Sequence, residues 1–364
     1  LGYVTPWNNH GYDVAKVLFR GKFTHISPVW YSVKPAGPKK HRLEGGHDVD
    51  AGWMEEVRAP TALGQRAKVI PRFQFAGWQR ENLLEIIEDR EVMKELADLI
   101  VQECLTQNFD GLVLESPAPG YTTDFLSLLA STLHSHSKTL TLVIPPSKPG
   151  AQQEAFSRAQ FDALVKVVDA FSLMTYDYSH PGKPGPNSPI SWVEENVYRL
   201  APGKEGRAKI LLGINLYGFD YGGSGGGSPI VGNQYLELLK KHSPKFTWED
   251  DEAEHVFSYS HSDGEHTVWY PSLKSLEERL ALGEELGTGI SLWEIGQGLD
   301  YFVSSRIADY FIFSHGMPFP VSFDSPFLPS TTSSSSSSPT SSTSSTIFCN
   351  YRVSSTSIPV YNPC

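Results

Sequence analysis

Short apolar segments of β-type composition alternate along roughly the first 300 residues with segments of helical periodicity. The β-type segments are rich in Val, Ile, Phe and Tyr, and most are bounded by Gly, Pro or Asp. This pattern is typical of strands that are buried on both faces of a parallel sheet. The predicted strands are YVTPW (3–7), FTHISPVWY (23–31), AKVIPRFQF (67–75), FDGLVLES (109–116), TLTLVIPP (139–146), DAFSLMTYDY (169–178), KILLGINLYG (209–218) and GISLWEIG (289–296).

The segments between these strands place apolar residues three and four apart, which is the spacing of amphipathic helices. The predicted helices span 82–107, 124–134, 161–168, 192–200 and 272–286. Eight strand–helix units over this length predict a (β/α)8 TIM barrel, an α/β fold. An open doubly wound sheet is the alternative, because periodicity counts the units but does not show that they close into a barrel.

The glycine and cysteine patterns predict neither a cofactor nor a metal site. No G-x-G-x-x-G follows the first strand, which argues against a dinucleotide fold. The run GGSGGG (222–227) has no Lys-Ser/Thr after it, so it predicts a flexible loop and not a phosphate-binding loop. Cys104, Cys349 and Cys364 are too few for a disulfide scaffold or a four-cysteine zinc site, and Cys104 falls in a helical pattern as a buried apolar residue.

The longest insertion, 219–271, follows the seventh strand. It contains two alternating apolar segments, HVFSYSH (255–261) and HTVWYP (266–271), with SDGE (262–265) between them. Asp-Gly between such segments is a strong hairpin signal. We therefore predict a short β-hairpin that overhangs the C-terminal face of the barrel, where ligands bind in this architecture.

The composition changes abruptly towards the end of the sequence. Residues 330–345 are Ser or Thr at every position but Pro339, so this stretch has almost nothing apolar to bury against the entropy of ordering. We predict a barrel domain at 1–304 and a low-complexity, disordered tail at 305–364. An O-glycosylated stalk is the functional alternative for the tail.

Charge and hydropathy restrict the partners. With 30 basic and 41 acidic residues the net charge is −11, which does not provide the basic surface that nucleic-acid binding needs. No apolar run reaches the ~18 residues of a membrane span. The first residues lack the basic and apolar regions of a signal peptide, and the first residue is not Met. We expect either a cytosolic protein or, preferably, a targeting segment upstream of this sequence.

Aromatic residues concentrate where the predicted strands end. They include Trp7, Trp30, Tyr176, Tyr217 and Trp293. Aromatic faces stack on the apolar faces of sugar rings, and their concentration at one end favours a sugar-binding groove over simple core packing. Two of them precede an acid, in Tyr176-Asp177 and Trp293-Glu294. These acids are candidates for acid–base chemistry or hydroxyl binding, or for pairing with an arginine such as Arg72.

Four segments resemble the family 18 glycoside hydrolases, which include the chitinases and the chitinase-like lectins. They are FDGLVLESP (109–117), SLMTYDYS (172–179), LLGINLYG (211–218) and GISLWEIGQGLDYF (289–302), and the resemblance covers roughly residues 1–302. Active members carry D-G-x-D-x-D-x-E on the fourth strand, where the final Glu protonates the glycosidic oxygen and the acetamido group of the substrate is the nucleophile.

This motif is degenerate in the present sequence. It begins with Asp110 and Gly111, but Val113 replaces the next acid, Glu115 replaces the third, and Pro117 occupies the place of the proton donor. Residues 113, 115 and 117 are predicted to face the barrel interior together. Glu115 lies two residues deeper than the donor position, about 6–7 Å along the strand. We therefore predict that the chain is not an enzyme and that Glu115 is a hydroxyl or amide acceptor.

The resemblance implies a set of ligand-binding residues. Tyr176 and Asp177 match positions that contact the acetamido group, and Trp293 matches the hydrophobic floor beneath the sugar. Tyr3, Trp7, Trp30 and Tyr217 are expected as flanking contacts, and Glu115 and Glu294 complete the predicted set. The Trp293–Glu294 peptide is a candidate for the non-proline cis bonds found in this family.

The prediction from sequence is thus a non-catalytic lectin for chito-oligosaccharides. The resemblance also implies a secreted or lysosomal protein, a role in innate immunity, lipopolysaccharide binding and a receptor-protein partner of the stabilin kind. Lipopolysaccharide carries phosphates and would need a local basic patch, for which Lys34, Lys39, Lys40 and Arg42 are candidates. Two alternatives remain: a weak glycosidase using Glu115 or Glu294, and a protein-interaction scaffold with a vestigial groove.

Overall fold

The protein is described here by a computed structural model, which defines residues 1–150, 154–223 and 226–300. The predicted tail, 305–364, lies outside these residues. The strands are β1 (Gly2–Val4), β2 (His25–Pro28), β3 (Tyr31–Pro35), β4 (His41–Glu44), β5 (Lys68–Val69), β6 (Arg72–Phe75), β7 (Gly111–Glu115), β8 (Thr139–Ile144), β9 (Ala170–Leu173), β10 (Ile210–Asn215), β11 (Gly218–Tyr221), β12 (Ser228–Ile230), β13 (Thr247–Glu249), β14 (Glu254–His261), β15 (Gly264–Tyr270) and β16 (Gly289–Trp293).

Helices follow most of the parallel strands. They are α1 (Asn9–Lys16), α2 (Ala51–Arg58), α3 (Arg80–Glu88), α4 (Arg90–Thr106), α5 (Thr123–Ser135), α6 (Arg158–Leu164), α7 (Ile190–Leu200), α8 (Lys204–Arg207), α9 (Gly232–His242) and α10 (Leu273–Leu286). Within the described ranges, no helix has the length and hydropathy needed to cross a bilayer.

The parallel strands close into a barrel, as predicted. β1 pairs with β2, and β2 pairs with β5. β3, which follows β2 after two residues, pairs with β6, and the pairings then run through β7, β8, β9, β10 and β16 back to β1. The second and third barrel positions are each split in two, β2 with β3 and β5 with β6. Pro28 and Pro71 lie at or beside these breaks, and proline has no N–H to donate to a neighbouring strand.

Alternation along the barrel strands separates two apolar layers. The larger layer fills the space between the sheet and the helices. The smaller one lies inside the barrel and consists of Leu1, Tyr3, Ile70, Val113 and Val143, with Trp293 packed against it. Because side chains alternate in direction along a strand, a residue of the inner layer shares its face with residues two positions away. This rule decides which side chains reach the open end of the barrel.

The long helical pattern at 82–107 forms two helices instead of one. Asp89 lies between α3 and α4 in an extended conformation, and its side chain accepts hydrogen bonds from the backbone N–H groups of Glu91 and Val92. Asp is among the strongest N-cap residues, so it starts α4 and interrupts the helix that precedes it. Cys104 is fully buried near the end of α4, as predicted.

The insertion after β10 is larger than the short hairpin we predicted. The hairpin itself is present, because β14 and β15 pair antiparallel with Ser262 and Asp263 as the turn. It is the centre of a five-stranded antiparallel sheet in the order β12-β11-β15-β14-β13, with α9 between β12 and β13. The sequence signal missed β11, β12 and β13 because three- or four-residue strands contain too few positions to show alternation.

Candidate functional site

The C-terminal ends of the parallel strands form the open end of the barrel, which we call the barrel mouth. Trp293, the last residue of β16, packs there against Tyr3 of β1 with ring centroids 5.2 Å apart. Tyr3 is buried, and its hydroxyl donates to the Ser172 hydroxyl across the barrel at 2.9 Å. These contacts fix a half-buried indole at the end of the apolar barrel interior, where it can support a sugar ring.

A guanidinium group links this aromatic floor to an acid. Arg72 of β6 is buried, and its side chain lies 5.1 Å from the centroid of the Trp293 ring. Its Nε is 2.7 Å from the Glu115 carboxylate at the end of β7. The Glu115 carboxylate also accepts a hydrogen bond from Gln74 at 3.2 Å, and 24% of its side chain is exposed. Glu115 is therefore a held but accessible carboxylate beside Trp293.

A second acid lies at the end of the sixth barrel strand. Asp177 is exposed, has a positive φ of 59°, and accepts a hydrogen bond from the Tyr217 hydroxyl. Burial raises the pKa of Tyr217 well above its ordinary value, and the neighbouring Asp177 adds to this, so the phenol remains a donor. Tyr176 lies 6.4 Å from Tyr217 between ring centroids. Burial is the main cause that raises the Tyr176 pKa, and Asp177 and Glu115 contribute. Tyr176, Asp177 and Tyr217 are therefore neighbours.

A buried ion pair supports the backbone of this acid. The amide N–H of Asp177 donates to the Asn187 side chain at 2.7 Å. The backbone N–H groups of Asn187 and Ser188 donate in turn to Glu254 of β14, at 3.1 and 2.6 Å. Glu254 pairs at 3.1 Å with Arg279 of α10, and both side chains are almost completely buried. The five-stranded antiparallel sheet of the insertion, which we call the insertion sheet, thus holds the loop that positions Asp177.

The two remaining aromatic candidates differ in their placement. Trp7 follows β1 and is 69% exposed, which suits a flanking sugar contact. Trp30 does not fit the prediction. It is buried between the sheet and the helices, packs against Trp53 and Phe109, and donates its indole N–H to the Tyr12 hydroxyl at 2.6 Å. Its neighbour Val29 packs on the inner layer, so alternation turns Trp30 outwards into the core.

Glu294 does not face the barrel mouth either. It follows Trp293 through a cis peptide bond, and it is completely buried. Its carboxylate accepts hydrogen bonds from the Asn8 side chain at 2.8 Å and from the Gly296 N–H at 3.3 Å. Burial raises the pKa of this carboxyl to about 7. The predicted role of Glu294 in ligand contact or catalysis is therefore not supported, because no part of it is accessible to a sugar.

The basic residues proposed for lipopolysaccharide do not form a free basic patch. Lys34 and Arg42 both pair with Glu44, at 2.6 and 2.8 Å. Lys39 pairs with Asp89 at 2.7 Å, and Lys40 pairs with Glu95 at 3.2 Å. Each charge already has an acidic partner, so this surface has little excess positive charge to attract phosphates.

The degenerate motif is distributed over β7 as alternation predicts. Asp110 precedes the strand at its lower end, where it pairs with Arg58 at 2.8 Å and accepts the Val69 N–H at 2.8 Å, a structural role. Val113 belongs to the inner apolar layer. Pro117 lies beyond the end of the strand and is exposed. Glu115 is therefore the motif residue with a carboxylate at the barrel mouth.

The comparison with protein families identifies this architecture. The sequence model of the family described as glycosyl hydrolases family 18 matches residues 1–298. The chain belongs to glycosyl hydrolase family 18. The parallel barrel and the antiparallel sheet agree with solved members. A chitinase from Chromobacterium violaceum is 18% identical with a TM-score of 0.71, over 85% of this chain and 98% of that one. A Cycas revoluta chitinase in complex with (GlcNAc)3 is 16% identical with a TM-score of 0.67, over 85% and 98%.

Curated relatives are similar over shorter regions. The cortical fragment-lytic enzyme of Bacillus anthracis is 29% identical over 180 residues, which are 47% of this chain and 42% of the relative. The enzyme of the same name from Bacillus subtilis is 24% identical over 228 residues, 58% of this chain and 52% of the relative. The match thus spans about half the length of the curated relatives.

These relatives correct our prediction that the chain is not an enzyme. That prediction depended on Pro117 at the donor position of the motif. The curated relatives are named as lytic enzymes, and a spore cortex-lytic enzyme from Bacillus cereus has the same fold, with a TM-score of 0.67. A degenerate donor position in one strand was therefore insufficient to exclude enzymatic activity, because other groups at the barrel mouth carry carboxylates.

Sequence reasoning did not assign two polar residues that organise the site. Gln74 lies two positions after Arg72, so both face the interior in an otherwise apolar strand. Polar residues at alternate positions of an apolar strand could have identified Arg72 and Gln74 as a pair that faces the interior. Asn187 follows β9 at a distance that no motif specifies, and we find no local signal that would have identified it.

Proposed function

We propose that this chain hydrolyses β-linked glycans that contain N-acetylhexosamine, binding them at the barrel mouth. The observation that carries the proposal is the position of Arg72, which contacts both the Glu115 carboxylate and the Trp293 ring. A sugar stacked on Trp293 would therefore lie beside an accessible acid. Membership of family 18 and relatives named as cortex-lytic enzymes and chitinases support this substrate class.

The proposed reaction uses the substrate's acetamido group as nucleophile. Its carbonyl oxygen attacks the anomeric carbon while the bond from that carbon to the leaving oxygen breaks. Glu115 gives its proton to the leaving oxygen, and the resulting carboxylate then takes a proton from the water that opens the cyclic intermediate. Asp177, held by the Tyr217 hydroxyl, would accept the acetamido N–H and orient the group for attack.

Two features predict that this hydrolysis is slow. The Glu115 carboxylate is held by Arg72 at 2.7 Å, so it must leave this contact before it can approach a leaving oxygen. Glu115 also lies about 6–7 Å below the position of Pro117, so the scissile linkage must enter the barrel more deeply.

The test compares the release of reducing ends from chitotetraose and from spore cortex fragments by the unchanged chain and by Glu115→Gln. General acid catalysis contributes about 10²–10⁴-fold, so we expect a loss of at least 100-fold in the variant. Glu95→Gln, at an exposed position on α4, is the matched control and should retain full activity. The absence of any hydrolysis by the unchanged chain, or an unaffected Glu115→Gln, would overturn the proposal.

Binding can be tested separately from hydrolysis. Chitotetraose titrated against intrinsic tryptophan fluorescence should give a saturable change, and Trp293→Ala should abolish it. Trp30→Phe is the control, because Trp30 is buried away from the barrel mouth. A saturable change that survives in Trp293→Ala would exclude the indole as the sugar floor.

Partner and location are also proposals. The sequence resembles the chitinase domain-containing proteins, also called stabilin-interacting chitinase-like proteins. On this basis we propose a secreted or lysosomal protein, with a stabilin-like receptor as partner and a role in innate immunity. Fractionation of cells that produce the full-length protein tests the location. A pull-down with a stabilin ectodomain tests the partner, and recovery exclusively in the cytosol would contradict the proposed location.

A further inference from the structure

The turn of the β14–β15 hairpin brings together three potential metal ligands that the proposed hydrolysis does not use. His261 is the last residue of β14, Asp263 lies in the turn, and His266 lies in β15. One ligand atom from each side chain lies within 4.8 Å of those from the other two. We propose that His261, Asp263 and His266 bind a zinc ion.

The ligand atoms are arranged around a common point. Asp263 Oδ1 contacts His261 Nδ1 and lies 3.2 Å from His266 Nε2. In a tetrahedral zinc site with bonds of about 2.0–2.1 Å, neighbouring ligand atoms are about 3.3 Å apart. The spacing between Asp263 and His266 already matches this value. His261 would need only a small rotation of an exposed side chain to open its contact.

The outer side of His266 has the arrangement that a ligating histidine requires. Its Nδ1 lies 2.9 Å from Asp220 Oδ1 on β11, and the other Asp220 oxygen accepts a hydrogen bond from the Tyr259 hydroxyl at 2.6 Å. A carboxylate at one ring nitrogen fixes the ring orientation and the tautomer, and it leaves the other nitrogen free to bind metal. Here the other nitrogen, Nε2, points towards Asp263.

Two glycines pack closely against the cluster. A Cβ at Gly222 would lie 2.5 Å from the ring carbon Cγ of His266, and one at Gly223 would lie 2.5 Å from Asp263 Oδ2. Only glycine allows the backbone to approach the ligands this closely. On the other side, the side chains of His261 and Asp263 are 42% and 45% exposed. Metal can therefore enter from solvent, and water can complete the coordination.

The ligand types favour zinc over magnesium or calcium. Two imidazoles and one carboxylate suit zinc and similar transition metals, whereas Mg²⁺ and Ca²⁺ prefer oxygen ligands. A bound ion would link the hairpin turn through His266 and Asp220 to β11. This strand begins at Gly218, directly after Tyr217 of the barrel mouth. The ion would therefore stabilise the insertion sheet without contacting the glycan.

The test is calorimetric titration of ZnCl₂ into the full chain after removal of metals with a chelator. We expect His261→Ala and His266→Ala each to lose one equivalent of bound zinc. Asp220→Asn should retain the site with roughly 10–100-fold weaker affinity, because Asp220 orients the ring of His266 and is not itself a ligand of the ion. His47→Ala, at an exposed histidine near the start of α2, is the matched control and should bind zinc as the unchanged chain does.

Several results would distinguish a metal site from a network of hydrogen bonds. Tetrahedral Co²⁺ absorption bands in the unchanged chain that disappear in His261→Ala would support the site. His261 is exposed, so this variant should fold even if His266→Ala does not. The proposal fails if the unchanged chain and His261→Ala bind the same number of zinc equivalents, whether or not the glycan is hydrolysed.

Discussion

Replacing Glu294 by Gln should destabilise the fold at acid pH and stabilise it at alkaline pH. The Glu294 carboxyl is completely buried, and burial raises its pKa from 4.5 to about 7. Glu294→Gln keeps the shape and the oxygen that accepts the hydrogen bond from Asn8. It replaces the second oxygen, which accepts the Gly296 N–H at 3.3 Å, by an amide NH₂ that cannot accept it.

The size and sign of the effect follow from proton linkage. Between pH 4.5 and 7 the folded protein holds the Glu294 proton and the unfolded chain releases it, so protonation stabilises the fold. This contribution is fully present below pH 4.5 and is lost as the pH rises through about 7. At about 1.4 kcal/mol per pH unit, the loss is about 3 kcal/mol. The lost hydrogen bond in Glu294→Gln costs about 1 kcal/mol at every pH.

We therefore expect Glu294→Gln to be less stable than the unchanged chain by about 1 kcal/mol at pH 4.5 and more stable by about 2 kcal/mol at pH 8. The assay is urea denaturation followed by tryptophan fluorescence across this range. His25 acts in the opposite direction, because burial lowers its pKa to about 4 and stability is lost as the pH falls below its ordinary value of 6.5. Because His25 is present in both proteins, its contribution cancels in the difference between the free energies of unfolding of the variant and the unchanged chain.

The matched control is Glu237→Gln on the exposed face of α9, which should not change the pH dependence. The reasoning is refuted if Glu294→Gln and the unchanged chain have parallel stability curves from pH 4.5 to 8. It is also refuted if the variant loses stability relative to the unchanged chain as the pH rises. Either result would show that the buried carboxyl is not protonated in the fold.

Two further predictions concern buried groups. Arg279→Met should reduce the free energy of unfolding by about 3–5 kcal/mol, because it leaves Glu254 buried without its charge partner, and adding Glu254→Gln should recover part of the loss in urea denaturation. An equal loss in the double variant would contradict this explanation. Burial raises the pKa of the Cys104 thiol to about 12. Cys104 should therefore resist iodoacetamide at pH 8 in the folded protein and react in urea, as measured by peptide mass spectrometry; modification of Cys104 without urea would contradict its burial.

Much of the barrel follows from local sequence patterns. The eight apolar segments coincide with the barrel strands, although two of them are interrupted near Pro28 and Pro71. The Asp-Gly signal at 263–264 correctly located the β14–β15 hairpin, although its two turn residues are Ser262 and Asp263. These features were predictable because periodicity, turn residues and caps act between residues that are close in sequence. The extent of the insertion sheet was not, since its short outer strands depend on pairing with the hairpin.

The candidate site was only partly predictable. Trp293, Asp177 and Tyr217 lie at the barrel mouth, where strand-end positions place them, whereas Trp30 and Glu294 point elsewhere. A position at a strand end specifies height along the barrel but not the direction of the side chain. Direction depends on the register of neighbouring strands, and a shift of one residue reverses it.

The sequence by itself determined the number of strand–helix units, the class of fold and the aromatic residues at the strand ends. Only the tertiary structure decided the pairs that give the site its chemistry. Glu115 meets Arg72 through the pairing of β6 with β7, and Asp220 meets His266 through the pairing of β11 with β15. The physical reason is that such contacts arise when distant strands are brought into register, and no local pattern of residues specifies which partners will then face each other.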